Sequence, residues 1–208
     1  MKQLILFDID DTIFNTILFR KIQDETLAKY LEITDLEIKK IRSEYYYQLE
    51  RGSDFSIDEF LKIIAEKYQH DFLEIKKVFL NKKNVELCLY TEIPEVLAKL
   101  KKQNYSLGVF SEGHKSFQLH KLKAKNIISF FSQSHLYILR RKIDPAILKN
   151  LPKDTIIIDD KPDILEELKK FDNIRPIQII RENKKHEPIV CDNIINSTEQ
   201  LLRLLQLD

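Results

Sequence analysis

Acidic and hydroxyl side chains stand directly behind short apolar runs at three places in this chain. Asp8, Asp10, Asp11 and Thr12 follow the run LILF at Leu4–Phe7. Ser111, Glu112 and Gly113 follow YSLGVF at residues 105–110, and Asp159, Asp160 and then Asp163 follow TIII at residues 155–158. Continuous apolar runs of this length are expected for strands buried on both faces of a parallel sheet. Ligands of such sheets bind beyond the carboxyl ends of the strands. Carboxylates converging there repel one another unless a cation lies between them. All-oxygen donors suit magnesium, which keeps waters and commonly holds a substrate phosphate as well. One carboxylate could then attack phosphorus, and a second could move the proton of the leaving oxygen. A hydroxyl and a lysine would steady the phosphoryl oxygens.

The elements that must position these groups alternate between strand-like and helix-like patterns. A fourth apolar run, PIQII, lies at residues 176–180. Between the runs, Ile93–Lys102 places Val96, Leu97 and Leu100 on one face, and residues 162–170 do the same with Ile164, Leu165 and Leu168. This alternation predicts βαβ units: an α/β fold with a Rossmann-like parallel sheet flanked by helices. The segment 15–88 has no buried-strand signal. It carries three helix starts, Thr34-x-x-Glu37, Ser56-x-x-Glu59 and Asp71-x-x-Glu74, the first two fitting the capping box. With a helix over Thr16–Leu31, four helices are expected there. The organisation read from the sequence is a core domain from residues 1–14 and 89–208, interrupted by an all-helical insertion at 15–88.

Composition narrows the function classes. Hydrophobic residues are 43% and charged residues 32%, enough apolar material for a sizeable core. Lys plus Arg number 34 against 33 Asp plus Glu, so no charge imbalance points to nucleic acid or a membrane surface. The lysines at 121, 123 and 125 read as a solvated helix face. Two cysteines, Cys88 and Cys191, stand apart from any metal-ligand spacing and read as buried, inert thiols. Leu4–Phe7 is too short for a signal peptide or membrane span, so the expected location is the cytoplasm. The five histidines are scattered. His114 is read as exposed, Tyr45–Tyr47 as packing, and Arg51 as a loop residue with a weak claim on substrate.

The motifs resemble those of the haloacid dehalogenase (HAD) superfamily, in its phosphatase form. FDIDDT at residues 7–12 resembles the family's first motif, DxDxT. Ser111 resembles the second, Lys142 in KIDPAIL at residues 142–148 the third, and IIIDDKPD at residues 156–163 the fourth. The order matches, and 15–88 falls where the family inserts a helical cap. Three departures are visible: Ile143 where Pro is common, no Gly-Asp start to the fourth motif, and Glu112 where Asn is common.

The resemblance implies a magnesium-dependent phosphatase working through an aspartyl-phosphate. Asp8 would be nucleophile and metal ligand. Asp10 would be general acid/base, with its backbone carbonyl on the metal. Ser111 and Lys142 would hold the phosphoryl group, with Thr12, Glu112 and Gly113 beside the substrate. Asp160 would be the main fourth-motif ligand with Asp159 close by, the direct contact left open between them. Arg141 and Lys161 compete with Lys142, which is favoured by Asp144 and Pro145 behind it. The expected partner is a small phosphorylated metabolite. A phosphomutase and a non-catalytic binding protein are the alternatives, and the acid at Asp10 argues against a dehalogenase.

Overall fold

Four consecutive apolar residues with all side chains buried make Leu4–Phe7 the first strand, β1. The computed structural model describes residues 3–49, 55–182 and 193–207. After β1 come five helices: α1 (Thr16–Leu31), α2 (Asp35–Gln48), α3 (Ile57–Tyr68), α4 (Phe72–Phe79) and α5 (Lys82–Leu87). There follow α6 (Ile93–Lys102), β2 (Ser106–Glu112), α7 (Lys115–Leu122), β3 (Leu136–Leu139), α8 (Pro145–Leu148), β4 (Thr155–Asp159), α9 (Pro162–Leu168), β5 (Ile174–Ile179), β6 (Ile194–Ile195) and α10 (Thr198–Leu204). Among the described residues no helix is long and apolar enough to cross a membrane.

The chain divides into two compact units, Met1–Asn15 with Leu89–Asp208, and Thr16–Cys88. The first is an α/β unit around one six-stranded sheet in the order β3-β2-β1-β4-β5-β6. Every strand pair in it is parallel. β1 lies between β2 and β4, with Phe7 opposite Val109 and Ile158. The three strands expected to carry the polar groups are therefore neighbours at the sheet's centre. One face is covered by α8 and α9, whose Leu148, Leu165 and Leu168 pack on Leu4, Leu6, Phe110 and Ile157. Gly108 in β2 allows close approach, since a Cβ there would stand 2.5 Å from the His135 carbonyl.

Two strands run further than the apolar pattern implied. β2 continues through Ser111 and Glu112 because Ile138 and Leu139 pair with them. β4 takes in Asp159, opposite Gln178. The edge strands β3 and β6 were not anticipated. β3 is half-buried along its length and β6 has two residues, so neither shows the continuous apolar run of a central strand.

The second unit is all-helical over its described residues, with five helices rather than four. The short α5 lacks an amphipathic stripe long enough to register in the sequence. Thr34 forms the full capping box with Glu37. Ser56 does only half: its hydroxyl accepts from the Glu59 N–H, but its own N–H donates to the Tyr45 hydroxyl at 3.3 Å. Glu59 instead accepts from Tyr45 at 2.7 Å. Asp71 caps α4 through the Glu74 N–H at 3.0 Å. Phe19, Leu27, Ile38, Phe60, Leu61, Ile64, Ile75 and Phe79 form the interior. The buried Arg42 pairs with Asp24, and its guanidinium lies 4.5 Å from the centre of the Phe60 ring. Of the three tyrosines, only Tyr45 is buried; Tyr47 is almost fully exposed. Arg51, His186 and Cys191 lie outside the described residues, whereas Cys88 is buried.

Candidate active site

Asp8 is the first residue past β1, and its N–H still continues the sheet by donating to the Ile158 carbonyl at 2.9 Å. This extension delivers its carboxylate beside the end of β4. Asp8, Asp159 and Asp160 are all buried and can bring one carboxylate oxygen each within 4.8 Å of one another. Lys142 is buried among them, with its ammonium 2.7 Å from Asp8 Oδ1 and paired with Asp159 Oδ2. Asp159 Oδ1 accepts the Lys161 N–H at 3.0 Å.

Among the described residues, three buried carboxylates gather about the buried Lys142, and this crowding shows in the protonation of Asp8 and Asp159. Burial pushes the Asp8 carboxyl up to about 6; Lys142 opposes this, while Asp159 and Asp10 add to it. Asp159 is likewise raised, by burial first and by Asp160, against the pull of Lys142. Burial works against the Lys142 ammonium too, but Asp159 and Asp8 outweigh it and hold its proton more tightly than in a free lysine.

The donor set fits a small divalent cation. Asp8 Oδ2 is buried and has no hydrogen-bond partner, which is costly for a carboxylate oxygen unless a cation takes that place. Ligands at roughly 2.0–2.1 Å on opposite sides of a magnesium ion are about 4.2 Å apart, so oxygens within 4.8 Å need only close in slightly. Asp159 already accepts a hydrogen bond on each oxygen.

The remaining candidates fall around this cluster. Ser111 Oγ and Thr12 Oγ1 are buried, each without a hydrogen-bond partner. Asp11 takes a left-handed backbone, φ 55°, and its N–H donates to the Phe14 carbonyl at 2.7 Å, closing the turn that carries Asp10. Glu112 faces Arg141 at 3.5 Å and Lys161 at 3.6 Å. Those two cations thus meet Glu112, whereas Lys142 meets Asp8. Gly113 has φ +121°, and its N–H donates to the Leu139 carbonyl at 2.9 Å. It therefore supplies a turn rather than an available donor. His114 caps α7, half-buried rather than exposed, with its ring 3.2 Å from Arg140. Asp163 sits exposed in the first turn of α9, where the helix dipole favours an acid.

Three further residues reach this region without having been singled out as functional. Lys121 and Gln118, on α7, contact the Asp10 carboxylate. The expectation that Lys121 lies on a solvated face is corrected: it is 2% exposed, while Lys123 and Lys125 are exposed. Arg181, just past β5, donates to the Thr12 carbonyl through Nε at 3.1 Å and stacks on Tyr90 at 3.8 Å. It also pairs with Glu92 at 2.6 Å. Burial alone would raise the Glu92 carboxyl, but Arg181 holds it below the usual range. No local pattern marks Arg181, which lies 169 residues from Thr12.

The chain belongs to the haloacid dehalogenase-like hydrolase family, whose sequence profile matches residues 5–162. Solved structures of the same fold include Bacillus subtilis YfnB bound to magnesium, 17% identical, covering 98% of each chain with a TM-score of 0.66. A HAD phosphatase of Thermococcus onnurineus is 19% identical over 99% of this chain and 98% of its own, TM-score 0.62. A 2-haloacid dehalogenase of Pseudomonas syringae is 19% identical over 99% of both chains, TM-score 0.66. At such identities the likeness concerns the fold. A comparison with curated proteins finds no match.

Proposed function

We propose that the protein is a magnesium-dependent phosphatase of small phosphomonoesters, working through an aspartyl-phosphate on Asp8. The observation that carries this reading is the cluster of buried Asp8, Asp159 and Asp160 around a single lysine, with Asp8 Oδ2 lacking a hydrogen-bond partner. Magnesium held by Asp8, Asp160 and the Asp10 carbonyl, with Asp159 beside it, would supply positive charge to the acids and to the phosphoryl oxygens.

A carboxylate oxygen of Asp8 attacks phosphorus, and the bond from phosphorus to the ester oxygen breaks. Asp10 gives that oxygen its proton. Asp10 then takes a proton from water, whose oxygen attacks phosphorus. The bond to Asp8 breaks and inorganic phosphate leaves. Lys142 and the Ser111 hydroxyl hold phosphoryl oxygens as charge redistributes, an electrostatic role that needs fixed donors. Thr12 and Glu112 border the substrate, and Gly113 shapes the turn beside it.

The second acid separates this chemistry from dehalogenation. A halide leaves without a proton, whereas an alkoxide is a poor leaving group until it receives one. We assign the Thr16–Cys88 unit the part of the cap that selects substrate.

The test is release of inorganic phosphate from a panel of sugar, nucleotide and small-acid phosphomonoesters, with magnesium and with chelator. Magnesium-dependent release is expected. Isomer conversion without release would make the protein a mutase, and neither activity in folded, magnesium-binding protein would make it a binding protein.

A further inference from the structure

Gln118 and Lys121 are three residues apart on α7 and so share a face. Lys121 Nζ lies 2.5 Å from Asp10 Oδ1, and Gln118 Nε2 lies 2.7 Å from Asp10 Oδ2. The same Gln118 nitrogen donates to the Glu112 carbonyl at 2.8 Å. Both of its partners are acceptors, so the amide nitrogen must face them. Gln118 thereby ties Asp10, beyond β1, to the end of the strand that carries Ser111.

Lys121 is fixed as well. Its ammonium lies 4.4 Å from the centre of the Phe117 ring and 5.3 Å from that of Phe14. Aromatic faces attract a cation and leave a lysine head little room to move. Its side chain is 3% exposed, against 30% for Asp10. The lysine therefore grips the carboxylate from the protein interior.

We infer that Gln118 and Lys121 are positioning residues that aim the Asp10 carboxylate for proton transfer. The inference rests on the phosphatase reading, in which Asp10 carries that proton. Proton transfer requires heavy atoms about 2.6–3.2 Å apart, and a misplacement of about 1 Å costs on the order of a hundredfold. A carboxylate on two rotatable bonds reaches such accuracy only when its oxygens are held.

A purely structural ion pair would affect all substrates alike. Positioning of a general acid would not, because the demand for a proton depends on the leaving group. An alkoxide needs the proton, whereas p-nitrophenolate departs without it. The experiment compares kcat/KM for p-nitrophenyl phosphate with that for whichever of glycerol 2-phosphate, glucose 6-phosphate and ribose 5-phosphate the parent hydrolyses best. Lys121→Met should lose about a hundredfold on the alkyl ester and less than about tenfold on the aryl ester. Gln118→Leu, which removes no charge and serves if the lysine variant fails to fold, should show the same selectivity to a smaller extent. Equal losses on both esters, or no loss on either, would overturn the inference while leaving the phosphatase reading in place. A parent that releases phosphate from none of these esters and from none of the wider panel would overturn both.

Discussion

Both compact units of this protein bury charge, but they balance it differently. In the helical unit Arg42 meets Asp24, one cation for one anion, under the Phe60 ring. At the strand ends of the α/β unit, Lys142 faces both Asp8 and Asp159, and Asp160 adds a third carboxylate. A balanced buried pair serves the fold, since removing one member strands the other. An unbalanced cluster opposes the fold and is made good only when a cation or an anionic group with its own cation arrives. The contrast teaches that excess buried charge of one sign, rather than buried charge as such, marks the site.

The comparison can be broken most sharply at Asp8. Asp8→Asn keeps the shape but removes the nucleophile, and turnover should fall by about four orders of magnitude or more while the circular dichroism spectrum is unchanged. An Asp8→Asn protein with parental phosphate release would remove Asp8 from the chemistry altogether.

The helical unit should respond in the opposite way. Arg42→Leu leaves Asp24 buried without its cation, and urea denaturation should show a loss of about 3 kcal/mol. A loss below about 1 kcal/mol would mean that the pair is no more than a tolerated contact.

The smallest effect sharpens the idea of surplus charge. In chelator, folded Asp8 keeps its proton up to about pH 6, whereas a free aspartate loses it near 3.8. Between those values the folded state binds more protons than the unfolded chain, so stability drains as pH rises through the window. Asp8→Asn has no such charge to bury. It should therefore be the more stable protein at pH 7.5 without metal, by about 1 kcal/mol, with the gap narrowing as pH falls from about 6 towards 3.8. Thermal melts of both proteins at pH 5 and 7.5 read this directly; a gap that does not change with pH would place its origin elsewhere.

Much of the fold was legible because its signals are local. Four buried residues in a row gave β1, the capping box at Thr34 gave the start of α2, and the period of Val96, Leu97 and Leu100 gave α6. The edge strands β3 and β6 escaped because a half-buried or two-residue strand has no periodicity to read. Within the site, the acids could be found as carboxylates behind apolar runs. Lys121 could not, because a lysine leading a series with Lys123 and Lys125 reads as solvated until the packing of α7 buries it against Phe14 and Phe117.

By itself, the sequence determined which chemical groups are available and at which strand ends they stand. Strand identity, helix starts and the order of the four motifs all depend on neighbours a few residues away, and those are present in the string of letters. Tertiary structure alone decided which cation meets which acid. Lys142 reaches Asp8, Lys121 reaches Asp10 across 111 residues, and Arg181 reaches the Thr12 carbonyl across 169. The physical reason is that a hydrogen bond forms only within a few tenths of an ångström of its proper length. Strand register and helix packing must bring distant segments together before such a bond exists.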